Sequence, residues 1–321
     1  VNVSEAFDKY QRYVDADPTQ VAEARDRAAS FKGAFNTLSD VDEVFMSGSL
    51  ARKTHKDPIH DVDVVIIYND DDHPGWGDAG DSAEDALNYT REKVNALLGA
   101  TNGTYDQLVR LARWRNHAVK CFIDDPDDED AFTVDAMPAL RKDGYLLIPE
   151  FLSRKWVACD PEHLIDEVQK RREQWGNYPG TVRMLKDWAS IQTGLNIKSL
   201  VMEVLALDNL PLGRTQPVAV KEFFVKAAHY IESGYTVEDP AGYCGPIQTD
   251  LDYATFGDRL RAAADNAALA VVKQSVSDDA GAIRSWRDVF GDGFPKPPST
   301  GPAPAVVPPV VPRPVKDTPQ G

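Results

Sequence analysis

The residues of this 321-residue chain that can do chemistry lie early. Asp61-Val62-Asp63 opens the run DVDVVIIY, which is rich in β-branched residues. In a strand, residues two apart share a face, about 6.5 Å apart along the chain. Asp61 and Asp63 therefore point one way, and Val62, Val64 and Ile66 the other. Two carboxylates side by side repel each other unless a cation sits between them. Mg²⁺ takes one or two carboxylates plus substrate phosphates. The pair suits a metal–nucleotide site.

Gly48-Ser49 comes just before it. Glycine lets the backbone approach a phosphate closely, and serine adds a hydroxyl and an N–H donor. Arg52 and Lys53 add positive charge. A third carboxylate, Asp135, ends the strand candidate AFTVD (131–135). If the two strands are neighbours, Thr133 and Asp135 face the side of the first pair, and Phe132 and Val134 face the core. Three carboxylates around two metals is a pattern for in-line attack on a phosphoryl group.

The elements that must position these groups fall into two kinds. Apolar periodicity predicts helix from Ser4 to about Leu38, interrupted at Pro18 with Asp17 as a cap. VFMSGS reads as a short apolar run ending in a turn, 61–68 as a strand, and 69–82 as a surface loop. A helix follows over 82–98, then strand candidates over 117–123 and 131–135. Asp160-Pro161-Glu162 is a helix-start signal. Beyond it the chain reads as helices over 160–175, 180–193, 197–208, 217–233, 250–275 and 279–290. Strands early and helices late predict an α+β fold with a catalytic sheet lobe, then a helical lobe. The expected partition is 1–155 with the N-terminal helix, 156–294, and a proline-rich tail over 295–321. Ten of the 22 prolines fall in that tail, which favours extended polyproline conformations.

Composition narrows the partners. There are 51 acidic against 35 basic residues, a net charge of −16. An acidic surface repels phosphate backbones, so long nucleic acid is disfavoured, although a local basic groove could survive the average. No membrane span and no secretory signal are read. Cys121, Cys159 and Cys244 make neither a metal-ligand spacing nor a disulfide framework, which leads us to expect a cytoplasmic protein.

Gly48-Ser49, Arg52-x-Thr54, Asp61-x-Asp63 and Asp135-Ala136-Met137-Pro138 resemble the DNA-polymerase-beta-like nucleotidyltransferases. Within that superfamily the chain looks most like the CD-NTases, the bacterial relatives of cyclic GMP-AMP synthase and oligoadenylate synthase. Trp156 with Asp160-Pro161 and His163, Val182-Arg183-x-Leu185-Lys186-x-Trp188, Lys198-Ser199, Glu203, and Trp286-x-x-x-Phe290-Gly291 with Phe294-Pro295 agree. The resemblance spans about residues 5–295. It implies a two-lobed nucleotidyltransferase fold, with a mixed β-sheet catalytic lobe and a helical C-terminal lobe. It also implies that Asp61, Asp63 and Asp135 hold two Mg²⁺ ions, for which Mn²⁺ could substitute. Gly48, Ser49, Arg52, Lys186 and Ser199 would meet the nucleotide. The implied reaction builds a cyclic di- or trinucleotide second messenger from nucleoside triphosphates, in anti-phage (CBASS-type) defence. Ubiquitin-like conjugation enzymes or an activator acting on the tail and Gly321 are the implied protein partners. The triad leaves open an RNA, protein or small-molecule acceptor, or a linear product. A non-catalytic module recruiting partners through the tail is the third reading.

Overall fold

The computed structural model describes residues 1–99 and 108–297. The proline-rich segment from residue 298, with Gly321 and the conjugation and partner expectations placed on it, lies outside them. The elements run in the order α1 (Val3–Val14), α2 (Pro18–Phe35), β1 (Val41–Met46), α3 (Gly48–Arg52), β2 (Asp61–Tyr68), α4 (Ser82–Leu98), β3 (Leu111–Trp114), β4 (Val119–Phe122), β5 (Thr133–Lys142), β6 (Tyr145–Glu150) and β7 (Lys155–Cys159). Helices follow: α5 (Pro161–Gln174), α6 (Tyr178–Ser190), α7 (Ser199–Asn209), α8 (Gln216–Glu232), α9 (Tyr253–Ser275) and α10 (Asp279–Phe290).

Local signals set the helix ends. Asp17 caps α2 with Pro18 in its first turn, so the helical segment is interrupted where expected and forms two helices. Asp160 accepts the His163 N–H at 2.9 Å and starts α5 as expected. Asp252 and Asp278 cap α9 and α10 in the same way.

The sheet has seven strands in the order β1-β2-β5-β4-β3, with β6 joining β5 and β7. β2 and β5 run parallel; the other pairs are antiparallel. Alternation along the strands divides the sheet's faces. Val62, Val64, Ile66, Val134, Ala136, Val119 and Cys121 are buried in the cluster that also takes in α2 and α4. Val65, Ile67, Ala139 and Leu146 form a smaller cluster on the opposite face. The acidic pair sits at the start of that second face. The strand expected over 131–135 extends to Lys142, and β3, β6 and β7 were not expected as strands. Pro138 inside β5 and Pro149 inside β6 mask strand propensity in the sequence.

The third cluster unites α5 to α10 with Val3, Phe7, Tyr10 and Val14 of α1. α1 thus buries its apolar stripe in the helical core instead of against the sheet with which it was expected to go. The stripe demands an apolar partner, and its sequence position does not say which. Phe7 stands edge-on to Trp286 of α10, ring centroids 4.9 Å apart. No helix among the described residues is long and apolar enough to cross a membrane.

Candidate active site

A cleft of about 740 Å³ opens between the sheet and the helices. Gly48, Ser49, Arg52, Asp61, Asp63, Lys186 and Ser199 all line it, so seven of the eight expected site residues meet there. The eighth, Asp135, is the direct cross-strand partner of Asp63 and shares its face. It stands just beyond the cleft lining.

Gly48 and Ser49 form the first turn of α3, a short helix where the sequence suggested a turn. The Ser47 N–H donates to the Asp63 carbonyl at 2.8 Å, which stitches this loop to β2. Gly48 has φ +66°. A Cβ at this position would overlap the Asp63 carboxylate, so glycine is needed for both space and backbone conformation.

The carboxylates are strained electrostatically. Burial, then Asp61 and Asp135, push the Asp63 carboxyl up to about 7. Burial also raises Asp135, to about 6, against the pull of Lys120. Asp135 Oδ1 is buried without a hydrogen-bond partner. An orphaned oxygen beside a carboxylate that resists ionisation calls for positive charge. Among the described residues no three carboxylate, imidazole or thiolate groups close into a metal cage of their own. A hard cation here takes the rest of its oxygen shell from phosphates and water, as Mg²⁺ does. The donor set fits such an ion.

Arg52 and Lys186 are placed differently from the expectation of direct phosphate ligands. Arg52 is 8% and Lys186 4% exposed. Both point at Glu203 of α7, itself 2% exposed. Arg52 Nε donates to Glu203 Oε2 at 2.7 Å, and Lys186 Nζ to Oε1 at 2.9 Å. The Thr54 hydroxyl donates to Oε2 at 2.6 Å, and its carbonyl accepts from Lys186 at 2.9 Å. Despite complete burial, the two cations hold the Glu203 carboxyl down at about 2. The trio carries one net positive charge at the cleft wall. Nearby, Lys56 Nζ donates to Asp187 of α6 at 3.0 Å, and Arg183 Nη1 to the Lys53 carbonyl at 2.6 Å.

The sequence reading gave Glu203 no role. The signal was present: Ser199 and Glu203 are four apart on one helix face, and two cations at buried positions need an anion. It also missed His55, whose imidazole burial and Arg183 push down to about 4 and whose Nδ1 is buried without a partner. A segment between α8 and α9 completes the wall with Asp239, Cys244 and Ile247. Asp239 shapes it by accepting the N–H groups of Ala241, Tyr243 and Cys244. The segment reaches the sheet through Tyr243, whose hydroxyl donates to the Gly144 carbonyl at 3.1 Å. All three cysteines are free thiols.

Residues 29–120 match the family model of the nucleotidyltransferase domain. A probable cyclic nucleotide synthase of Bacillus cereus (strain VD146) is 30% identical over 160 residues. That match covers 47% of this chain and 46% of the relative, about half of its length. CdnC of E. coli MS115-1, solved with ATP, superposes with TM-score 0.69 at 16% identity, covering 92% of this chain and 99% of that one. Its complex with HORMA-deltaN gives 0.68 at 17%, covering 92% and 98%. The CD-NTase CdnG of Bradyrhizobium diazoefficiens, with GTP, gives 0.63 at 13%, covering 90% and 95%. At these identities the likeness to the solved structures is one of fold, and that fold is the α+β, two-lobed one expected.

Proposed function

We propose that this chain, which carries a nucleotidyltransferase domain in the fold of the CD-NTases, joins nucleoside triphosphates into a cyclic di- or trinucleotide. One observation carries the reading. Asp63 and Asp135 are in register on neighbouring parallel strands, with Gly48-Ser49 pressed against Asp63 at the cleft.

On this reading Asp61, Asp63 and Asp135 hold two Mg²⁺ ions, which when bound neutralise the charge developing on the transferring phosphoryl group. The small residues at 48 and 49 admit the donor's phosphates, and the net positive charge of Arg52, Lys186 and Glu203 behind them attracts those phosphates. Ser199 presents its hydroxyl from the helical side of the cleft. Asp135, level with Asp63 on the neighbouring strand, is placed to orient the attacking ribose hydroxyl and take its proton. The hydroxyl oxygen forms a bond to the α-phosphorus, and the bond from that phosphorus to the bridging oxygen breaks. Pyrophosphate departs with the electron pair. A second transfer within the cleft closes a dinucleotide ring, and a third closes a trinucleotide, each releasing pyrophosphate. The sheet lobe, which with β7 runs to Cys159 and so past the boundary expected at 155, supplies the metal ligands, and the helical lobe the facing wall.

A role in anti-phage defence rests on the family resemblance. A HORMA-type protein is a candidate activator because the similar CdnC is seen in complex with one. An RNA acceptor is the second reading, and the −16 net charge speaks against it.

The deciding experiment is incubation with all four ribonucleoside triphosphates and Mg²⁺ or Mn²⁺, with and without a HORMA-type partner. Mass spectrometry then identifies any phosphatase-resistant product. A cyclic oligonucleotide that disappears in Asp61→Asn/Asp63→Asn is expected. Transfer onto RNA alone, or no product under any condition, overturns the reading.

A further inference from the structure

The charged residues on the cleft face of the sheet form one registered row. Asp63 on β2 pairs with Asp135 on β5, Asp135 with Lys120 on β4, and Lys120 with Arg113 on β3. Paired residues of neighbouring strands point to the same face. Val119 and Cys121, on either side of Lys120, are fully buried in the helix-covered core. Lys120 therefore points to the cleft face. Across four strands the row reads carboxylate, carboxylate, ammonium, guanidinium.

Like charges directly opposite in a sheet are destabilising. Arg113 and Lys120 are such a pair, and Arg115 follows two residues along. Among the described residues, no carboxylate lies within 4.0 Å of the charged end of any of the three, and Asp135, across the strand from Lys120, is the nearest acidic partner the row offers. The Phe122 ring holds two of them: the Arg113 guanidinium carbon and Lys120 Nζ each lie 5.8 Å from its centroid. Lys120 and Arg115 are near enough to Asp135 to pull its carboxyl down against burial.

Among the described residues, two exposed cations, Arg113 and Arg115, and the half-buried Lys120 share Asp135 as their one nearby carboxylate, and such an excess of positive charge beside a carboxylate metal site suits a phosphate group. The donor's phosphates have their own place at Gly48-Ser49, on the other side of Asp63. Strands are spaced about 4.8 Å apart, which puts the Arg113 backbone about 10 Å from that of Asp135. That is within reach of a 5′-phosphate chain on a ribose whose hydroxyl lies at Asp135.

We propose that Lys120, Arg113 and Arg115 form an anion subsite for the phosphates of the acceptor nucleotide. The inference rests on the synthase reading above. It adds that the acceptor is chosen for its phosphates, on the β3–β4 hairpin, before its base is read.

The test separates the two claims. A 2′,3′-dideoxynucleoside triphosphate serves as donor, since it cannot itself accept. The acceptor is either an α,β-methylene nucleoside triphosphate, which cannot itself donate, or the same nucleoside without phosphates. Wild type should prefer the triphosphate acceptor in kcat/KM. In Arg113→Ala/Lys120→Ala that preference should fall at least tenfold, while Lys120→Arg retains it. Thermal unfolding reports whether the variants are folded. An intact preference in the double variant, or rates lowered equally for both acceptors, marks a structural role and overturns the subsite. Absence of any preference in wild type overturns it as well. Wild type that transfers to neither acceptor, with any base and either metal, overturns the synthase reading and the subsite with it.

Discussion

The Asp63 carboxylate fills the space that a side chain on residue 48 would occupy. Gly48→Ala should therefore displace Asp63, and its φ of +66° adds a backbone cost of about 1–2 kcal/mol. We expect a folded protein whose nucleotide transfer falls by roughly two orders of magnitude or more, as misplaced catalytic groups do. Circular dichroism and a product assay check it. An active Gly48→Ala enzyme would show that the contact is dispensable.

Glu203 is the shared counter-ion of two buried cations that come from separate parts of the chain. Glu203→Ala leaves Arg52 and Lys186 buried and uncompensated, which should cost about 3–5 kcal/mol in denaturant unfolding. Arg52→Ala leaves Lys186 as partner, so a smaller loss is expected. The folded Glu203 pKa, about 2, lies below its ordinary value of 4.5. Its contribution is present above about pH 4.5 and is lost as pH falls from there toward 2. Wild type should lose more stability than Glu203→Gln across that window.

Asp63 and Asp135 have the opposite sign. Their folded pKa values, about 7 and about 6, exceed the ordinary 3.8. The folded state holds these protons more tightly than the unfolded chain. Metal-free protein should thus lose stability as pH rises from about 4 to about 7, then level off. Asp63→Asn should flatten this slope and raise the unfolding midpoint at pH 7.5. Mg²⁺ with a non-hydrolysable nucleoside triphosphate should stabilise wild type more at pH 8 than at pH 5.5. Equal shifts at both values would argue against charge neutralisation at this site.

Tyr243 ties the segment between α8 and α9 to the sheet, its ring tilted against Tyr145 with centroids 5.2 Å apart as its hydroxyl donates to the Gly144 carbonyl. Residues Pro240, Cys244 and Ile247 of that segment line the cleft. Tyr243→Phe should be nearly silent if the ring contact dominates. Tyr243→Ala should raise the KM for nucleotides several-fold and change stability by less than about 1 kcal/mol, since the side chain is 42% exposed. An unchanged KM would mean that the segment is held by its other contacts.

Much was legible without coordinates. The alternation in DVDVVIIY puts Asp61 and Asp63 on one face whatever the strand pairs with, because the side-chain period of two is local. The caps at Asp17 and Asp160 were legible for the same reason: a cap bonds N–H groups two or three residues away. What stayed hidden involves partners far along the chain. That Asp135 stands level with Asp63, 72 residues earlier, follows from the parallel register of β2 and β5, for which no local pattern codes. The side of the sheet on which Lys120 and Arg113 meet was hidden because β3 is four residues long and lacks strong alternation. Glu203 looked like one acidic residue among many in an acidic chain. Only the approach of α3 and α6 made it a buried counter-ion, because charge pairing depends on distance through space and the sequence records only distance along the chain.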